Sequence, residues 1–174
     1  MSTGFIIKLA IYAMLINNVV LMQFLGICPY LGVSKRVKTA FGMGMAVVFV
    51  MTLATLFTWL IDRYVLAVYN IQYLRTIAFI LVIASLVQFV EIFLKKMIPV
   101  LYQSLGIYLP LITTNCAILG TAILAVQNDM TKDNLLISLV FAIATGVGFT
   151  IAIFLFASIR ERLETSDIPL VFRG

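Results

Sequence analysis

Residues 97–127, MIPVLYQSLGIYLPLITTNCAILGTAILAVQ, run without one charged side chain. A stretch this apolar is long enough for the roughly 20 residues that about 30 Å of hydrocarbon requires. It is not a plain helix, however. Gly106 and Pro110 precede Thr113-Thr114-Asn115-Cys116, and a proline removes a backbone donor while disfavouring helix in the residue before it. The stretch reads as a membrane span broken near its middle. Backbone groups freed at membrane depth must be met by protein or face a cavity, and discontinuous spans of this kind mark ion or substrate sites.

Four further apolar runs lie outside it, at about 5–28, 40–60, 74–94 and 134–159. They are continuous rather than alternating, so spanning strands are not expected. Composition agrees with five spans. The chain is 63% hydrophobic and 11% charged, with a mean hydropathy of +1.15, outside the range of soluble domains. The N-terminus has neither a basic leader region nor a small-residue cleavage site, so the first run is expected to be a retained span. There is no histidine, which excludes His-ligated haem, His-bound metal and His-based triads within this chain. The net charge of +5 sits in short clusters between apolar runs. That is the placement of membrane topology, not of a nucleic-acid footprint.

Those clusters give an orientation. Lys35, Arg36 and Lys38 follow the first span, Lys95 and Lys96 the third, and Arg160, Arg162 and Arg173 the fifth. Only Lys8, Arg63, Arg75 and Lys132 belong to the other side. The first set is expected to be cytoplasmic and the N-terminus outside. Trp59, Tyr64, Tyr69 and Tyr73, around the ends of the second and third spans, read as interface anchors.

The first and fourth spans resemble each other. Cys28-Pro29-Tyr30-Leu31-Gly32 and Cys116-Ala117-Ile118-Leu119-Gly120 share C-x-x-L-G, and a Leu-Gly-Ile (25–27 and 105–107) precedes each. A glycine pair follows each, Gly42 with Gly44 and Gly146 with Gly148. The first span looks broken as well, at Asn17-Asn18 and between Gly26 and Pro29. Spans one and four are an odd number of crossings apart, so the repeat has inverted topology. The expected fold is an all-α integral membrane protein in a single transmembrane domain, 1–174. Its three-helix halves are about 5–94 and 97–174, the second incomplete because the tail after Arg162 contains no sixth span.

Cys28 and Cys116 admit three readings: small buried hydrophobes, a disulfide, which membrane-embedded positions disfavour, or metal ligands. A [2Fe–2S] cluster takes four thiolates and this chain offers two, so ligation requires a partner that brings the other pair. Asn17, Asn18, Thr113, Thr114 and Asn115 are either interhelical polar contacts or donors to cluster sulfurs. Gly26, Thr114 and Asn115 are the candidates nearest the cysteines. Glu91, the deepest acid, reads as the helical partner of Lys95 rather than as an ion site. There is no phosphate loop, dinucleotide fingerprint or covalent-flavin threonine motif.

Asn17-Asn18, Phe24 through Pro29 (FLGICP), Gly32 through Lys35 (GVSK), Leu74-Arg75-Thr76 through Val87-Gln88-Phe89-Val90-Glu91, and Gly106 through Leu119 (GIYLPLITTNCAIL) resemble the A-type subunits of Rnf complexes. So do Arg160-Glu161-Arg162-Leu163-Glu164, Asp167-Ile168-Pro169 and Phe172-Arg173-Gly174. These complexes are ion-translocating ferredoxin:NAD oxidoreductases, and the D- and E-type subunits of the sodium-translocating NADH:quinone reductase are relatives. The resemblance implies a bacterial or archaeal cytoplasmic-membrane subunit that carries electrons and couples their flow to Na+ or H+ transport, with no independent active site. It implies a [2Fe–2S] cluster shared with the homologous E-type Rnf subunit, with Cys28 and Cys116 as this chain's ligands, and association with the B-, C-, D- and G-type subunits. It also implies six spans, one more than this chain is expected to have. A secondary transporter of a small ion or solute, with packing cysteines, is the alternative. A scaffold subunit without bound iron is a third possibility.

Overall fold

The computed structural model describes residues 3–33, 37–66, 68, 72–97, 115–128, 131 and 133–164. Six helices organise them: α1 (Thr3–Ile11), α2 (Ile27–Val33), α3 (Val37–Ile61), α4 (Arg75–Met97), α5 (Cys116–Gln127) and α6 (Leu135–Glu164). A π-helical turn extends α1 through Tyr12–Ile16, another extends α3 through Asp62–Leu66, and a 3-10 turn, Gln72–Leu74, leads into α4. No strand occurs among the described residues. Three helices are long and apolar enough to cross a membrane, at Val37–Leu66, Arg75–Ile92 and Leu135–Leu163. They correspond to the expected second, third and fifth spans.

Two of these helices outrun their apolar stretches, for polar reasons. The α3 start is held because the Glu161 carboxylate accepts the Val37 N–H at 3.1 Å. That side chain comes from the charged last turn of α6, where Arg160 also donates to the Leu31 carbonyl at 3.3 Å. Beyond the other end of α3, Asp62 pairs with Arg75 at 2.7 Å in a half-buried bridge, and exposed Arg63 reaches Asp133 at 3.5 Å. Charged residues that would mark helix ends by composition alone are thus carried onto the helices by partners from elsewhere in the chain.

These contacts also set directions. The start of α3 meets the end of α6, and the end of α3 meets the start of α6, so the two run antiparallel. Their crossing is built on small residues. A side chain at Gly44 would collide with Thr150, and one at Gly146 would come within 3.1 Å of the Val48 backbone. Lipid supplies no hydrophobic drive between helices, so close packing of this kind is what holds them. Around the crossing lies the core of Met43, Val47, Met51, Phe79, Ile118, Phe149 and Ile153, all buried. Phe41, Phe49, Ile77, Leu81, Phe89 and Leu155 point outward, as apolar side chains facing lipid do.

The first apolar run, 5–28, is not one helix. Helical geometry stops at Ile16, residues 17–26 turn without forming a helix, and α2 starts at Ile27. Asn18 anchors the break. Its Nδ2 donates to the Gly148 carbonyl at 2.9 Å and to Met14 O at 3.3 Å, while its Oδ1 accepts the Val20 N–H at 3.0 Å. Gly148, midway along α6, has no side chain to keep Met14 O away; a Cβ there would lie 2.6 Å from that oxygen. Of the charge-free run 97–127, residues 98–114 lie outside the described residues. The remainder is α5, too short to cross a bilayer alone.

Candidate functional site

The site is built where the break after α1 meets the start of α5. Asn115 caps α5, its Oδ1 accepting the Ala117 N–H at 3.0 Å. That is what an asparagine at this position does best, and it places Cys116 as the first residue of the helix. The Gly26 N–H donates to Cys116 Sγ at 2.9 Å, joining chain segments 90 residues apart.

Only glycine fits at 26. Its φ of +82° is a backbone conformation that side chains disfavour. A Cβ there would also lie 2.8 Å from the Phe149 ring and 3.1 Å from the Ala117 methyl. Nearby, Leu25 packs on Gly120, where a Cβ would come within 2.5 Å of its methyl, and the Leu25 N–H reaches Val19 O at 3.1 Å. The turn 17–26 is thereby pressed on α5 and α6 by two contacts that need glycine on one side.

Cys28 follows two residues later, in the first turn of α2, and is exposed; Cys116 is half-buried. Both thiols are free, so the disulfide reading does not describe this chain. A packing role within the chain would bury a thiol, and Cys28 is exposed. Both cysteines open a helix, and helix starts are where anionic groups are best held. Among the described residues, no group of three or more His, Cys, Asp or Glu could hold a metal ion. Two thiols fit half of a four-thiolate set and no more.

Of the other candidates, Gly26 and Asn115 meet at this site, with Asn115 Oδ1 3.4 Å from where a Gly26 Cβ would stand. Thr114, like Thr113, lies outside the described residues. Asn17 is not at the cysteines; its Oδ1 accepts from Gln23 at 3.4 Å. Sequence reasoning missed Phe149, which walls Gly26 and reads as one more apolar residue of a span. Gly26 was singled out, but not its role as donor to Cys116, because a backbone N–H leaves no mark on sequence.

The family described as Rnf-Nqr subunit, membrane protein, matches residues 6–173. The A-type subunit of the ion-translocating oxidoreductase complex of Syntrophotalea carbinolica is 56% identical over 97% of this chain and 86% of its own length. The subunits of the same name from Cronobacter sakazakii and Escherichia coli are 54% and 55% identical, each over 92% of this chain and 81% of their own length. With the match extending over both cysteines and from within α1 to the end of α6, the chain belongs to the Rnf-Nqr family of membrane subunits.

Proposed function

We propose that this chain is the membrane electron-transfer subunit of an ion-translocating ferredoxin:NAD+ oxidoreductase. Its relatives are named as A-type subunits of ion-translocating oxidoreductase complexes. Cys28 and Cys116 supply two ligands to a [2Fe–2S] cluster, and the homologous E-type Rnf subunit supplies the other two. The Gly26 N–H bond to Cys116 Sγ carries the proposal, because it draws the segment leading into Cys28 onto the second cysteine. Exposure of Cys28 supports a ligand set completed from outside the chain. The B-, C-, D- and G-type subunits complete the assembly, and the reaction belongs to the assembly rather than to this chain.

When bound, such a cluster supplies one-electron transfer at membrane depth. This chain's contribution is positional. The starts of α2 and α5 present the thiols, Gly26 holds the Cys116 sulfur through its N–H, and Phe149 and Ala117 wall Gly26. The antiparallel α3 and α6 support an inverted repeat with halves of about 5–94 and 97–174, in which the first and fourth apolar runs correspond. Relative movement of these halves couples electron flow to Na+ or H+ transport. Lys38, Arg160 and Arg162 cluster near the α2–α3 junction, the end assigned to the cytoplasm, and the N-terminus lies outside in the cytoplasmic membrane.

The proposal is tested with Cys28→Ala and Cys116→Ala in the assembled complex. Each variant is expected to assemble, to lack the iron of one [2Fe–2S] cluster, and to lose ferredoxin-dependent NAD+ reduction. Full iron content and full activity in either variant rejects the ligand assignment.

One observation favours a transporter instead. A cavity of about 410 Å³ lies between α1 and the α5–α6 turn, with Lys8, Tyr12, Asn17, Asn128 and Thr131 in its wall. On that reading, ion or solute uptake by the chain in vesicles survives replacement of both cysteines without any redox partner.

A further inference from the structure

Asn115 has one amide with two ends, and capping uses only the oxygen. Because Oδ1 is held by the Ala117 N–H, the nitrogen takes no part in the cap. The residue is 4% exposed, and Nδ2 has no acceptor among the described residues. Leaving a buried donor unmet costs about 1–3 kcal/mol, and native interiors rarely tolerate it. Capping alone does not require this donor, since aspartate caps equally well.

Thr55 Oγ1 is the other buried atom without a partner among the described residues, and it makes an instructive contrast. A helical threonine hydroxyl can rotate to the carbonyl four residues back. Thr52, Thr58, Thr121 and Thr145 all do so, at 2.7–2.8 Å. An amide pinned through its oxygen lacks that freedom, so its acceptor must come to it. The neighbouring side chain is Cys116, whose sulfur already takes one N–H from Gly26.

We infer that Asn115 Nδ2 donates a hydrogen bond to a sulfur of the cluster bound through Cys116, and thereby raises its reduction potential. The inference rests on the ligand assignment proposed above. Donors to cluster sulfurs favour the more negative, reduced form, and the burial of Asn115 enlarges the effect. Asn115 both positions Cys116, through the cap, and tunes the group that Cys116 holds.

The test uses the co-expressed pair of this chain with its E-type partner, carrying asparagine labelled with 15N in the side-chain amide. Pulsed EPR of the reduced wild-type pair should show a weak coupling to an amide 15N that disappears in Asn115→Asp, which keeps the cap but lacks the donor. Redox titration should show lower potentials in Asn115→Asp and in neutral Asn115→Ala. For Asn115→Ala the reduced-to-oxidised ratio should fall about tenfold at fixed ambient potential, ~59 mV for one electron. No 15N coupling in the wild-type pair overturns the inference even if neither variant assembles. So does a coupling that persists in Asn115→Asp, or an unchanged potential in Asn115→Ala. A wild-type pair without any cluster signal rejects the ligand assignment itself, a different outcome from a cluster that ignores Asn115.

Discussion

Gly26 and Asn18 are the residues on which the site's geometry turns. Gly26→Ala meets both a positive φ and the Phe149 ring. Backbone strain of this kind costs on the order of 1–3 kcal/mol, before the ring is displaced. The variant is expected to lower the melting temperature of the purified protein and to lose iron from the assembled complex. A variant with wild-type stability and iron would show that Gly26 is not held against Cys116. Asn18→Leu removes the donors to Gly148 O and Met14 O and the acceptor for Val20 N–H. At roughly 0.6 kcal/mol for each polar contact in a membrane bundle, a loss of about 1–2 kcal/mol is expected in denaturant titration. The two cysteines and the amides beside them were legible as a pattern, because polar residues inside apolar runs stand out. Which amide meets which carbonyl was not, since Asn17 and Asn18 look alike in sequence and only the second is buried.

Between elements, small residues set the spacing. Gly44 and Gly146 sit at the α3–α6 crossing, whereas Gly42 has nothing within 4 Å of where its Cβ would be. Gly146→Leu is therefore expected to destabilise by more than about 2 kcal/mol, in the range of overpacked cores, while Gly42→Leu is tolerated. Thermal unfolding of the two variants in the same detergent checks the contrast, and equal losses would contradict it. Apolar length located α3, α4 and α6 to within a few residues. It fell short at their ends, because the helices continue through charges satisfied from elsewhere in the chain: Glu161 at Val37, and Arg75 at Asp62. Such pairings depend on the fold and carry no periodic signal. The break after Ile16 was legible because Asn17-Asn18 and Gly26 resist a continuous apolar helix, whereas Pro29, expected to interrupt the chain as well, sits in the first turn of α2, where a proline is tolerated.

On the scale of the whole molecule, the antiparallel α3 and α6 put Lys38 and Arg160 at one end and Arg63 and Asp133 at the other. In a background lacking Cys28 and Cys116, Lys96→Cys is expected to be labelled by an impermeant maleimide only from the cytoplasmic side. Tyr73→Cys, an exposed site near the start of α4, is expected to be labelled only from outside. The reverse pattern in intact cells and inverted vesicles would overturn the orientation. The C-x-x-L-G segments and the glycine pairs stood out in the sequence as a pattern, but their meaning for chemistry did not, because half of the proposed ligand set belongs to another chain. The Gly26 N–H ties the segment leading into Cys28 to Cys116, and two thiols are two short of the four that a [2Fe–2S] cluster takes, which is why the proposed site needs a partner. EPR of the reduced, co-expressed pair of this chain with its E-type partner tests the shared site most directly. The expected result is a [2Fe–2S] signal that disappears when either Cys28 or Cys116 is replaced by alanine in a pair that still assembles; a signal that survives either replacement contradicts a site held by these two thiols.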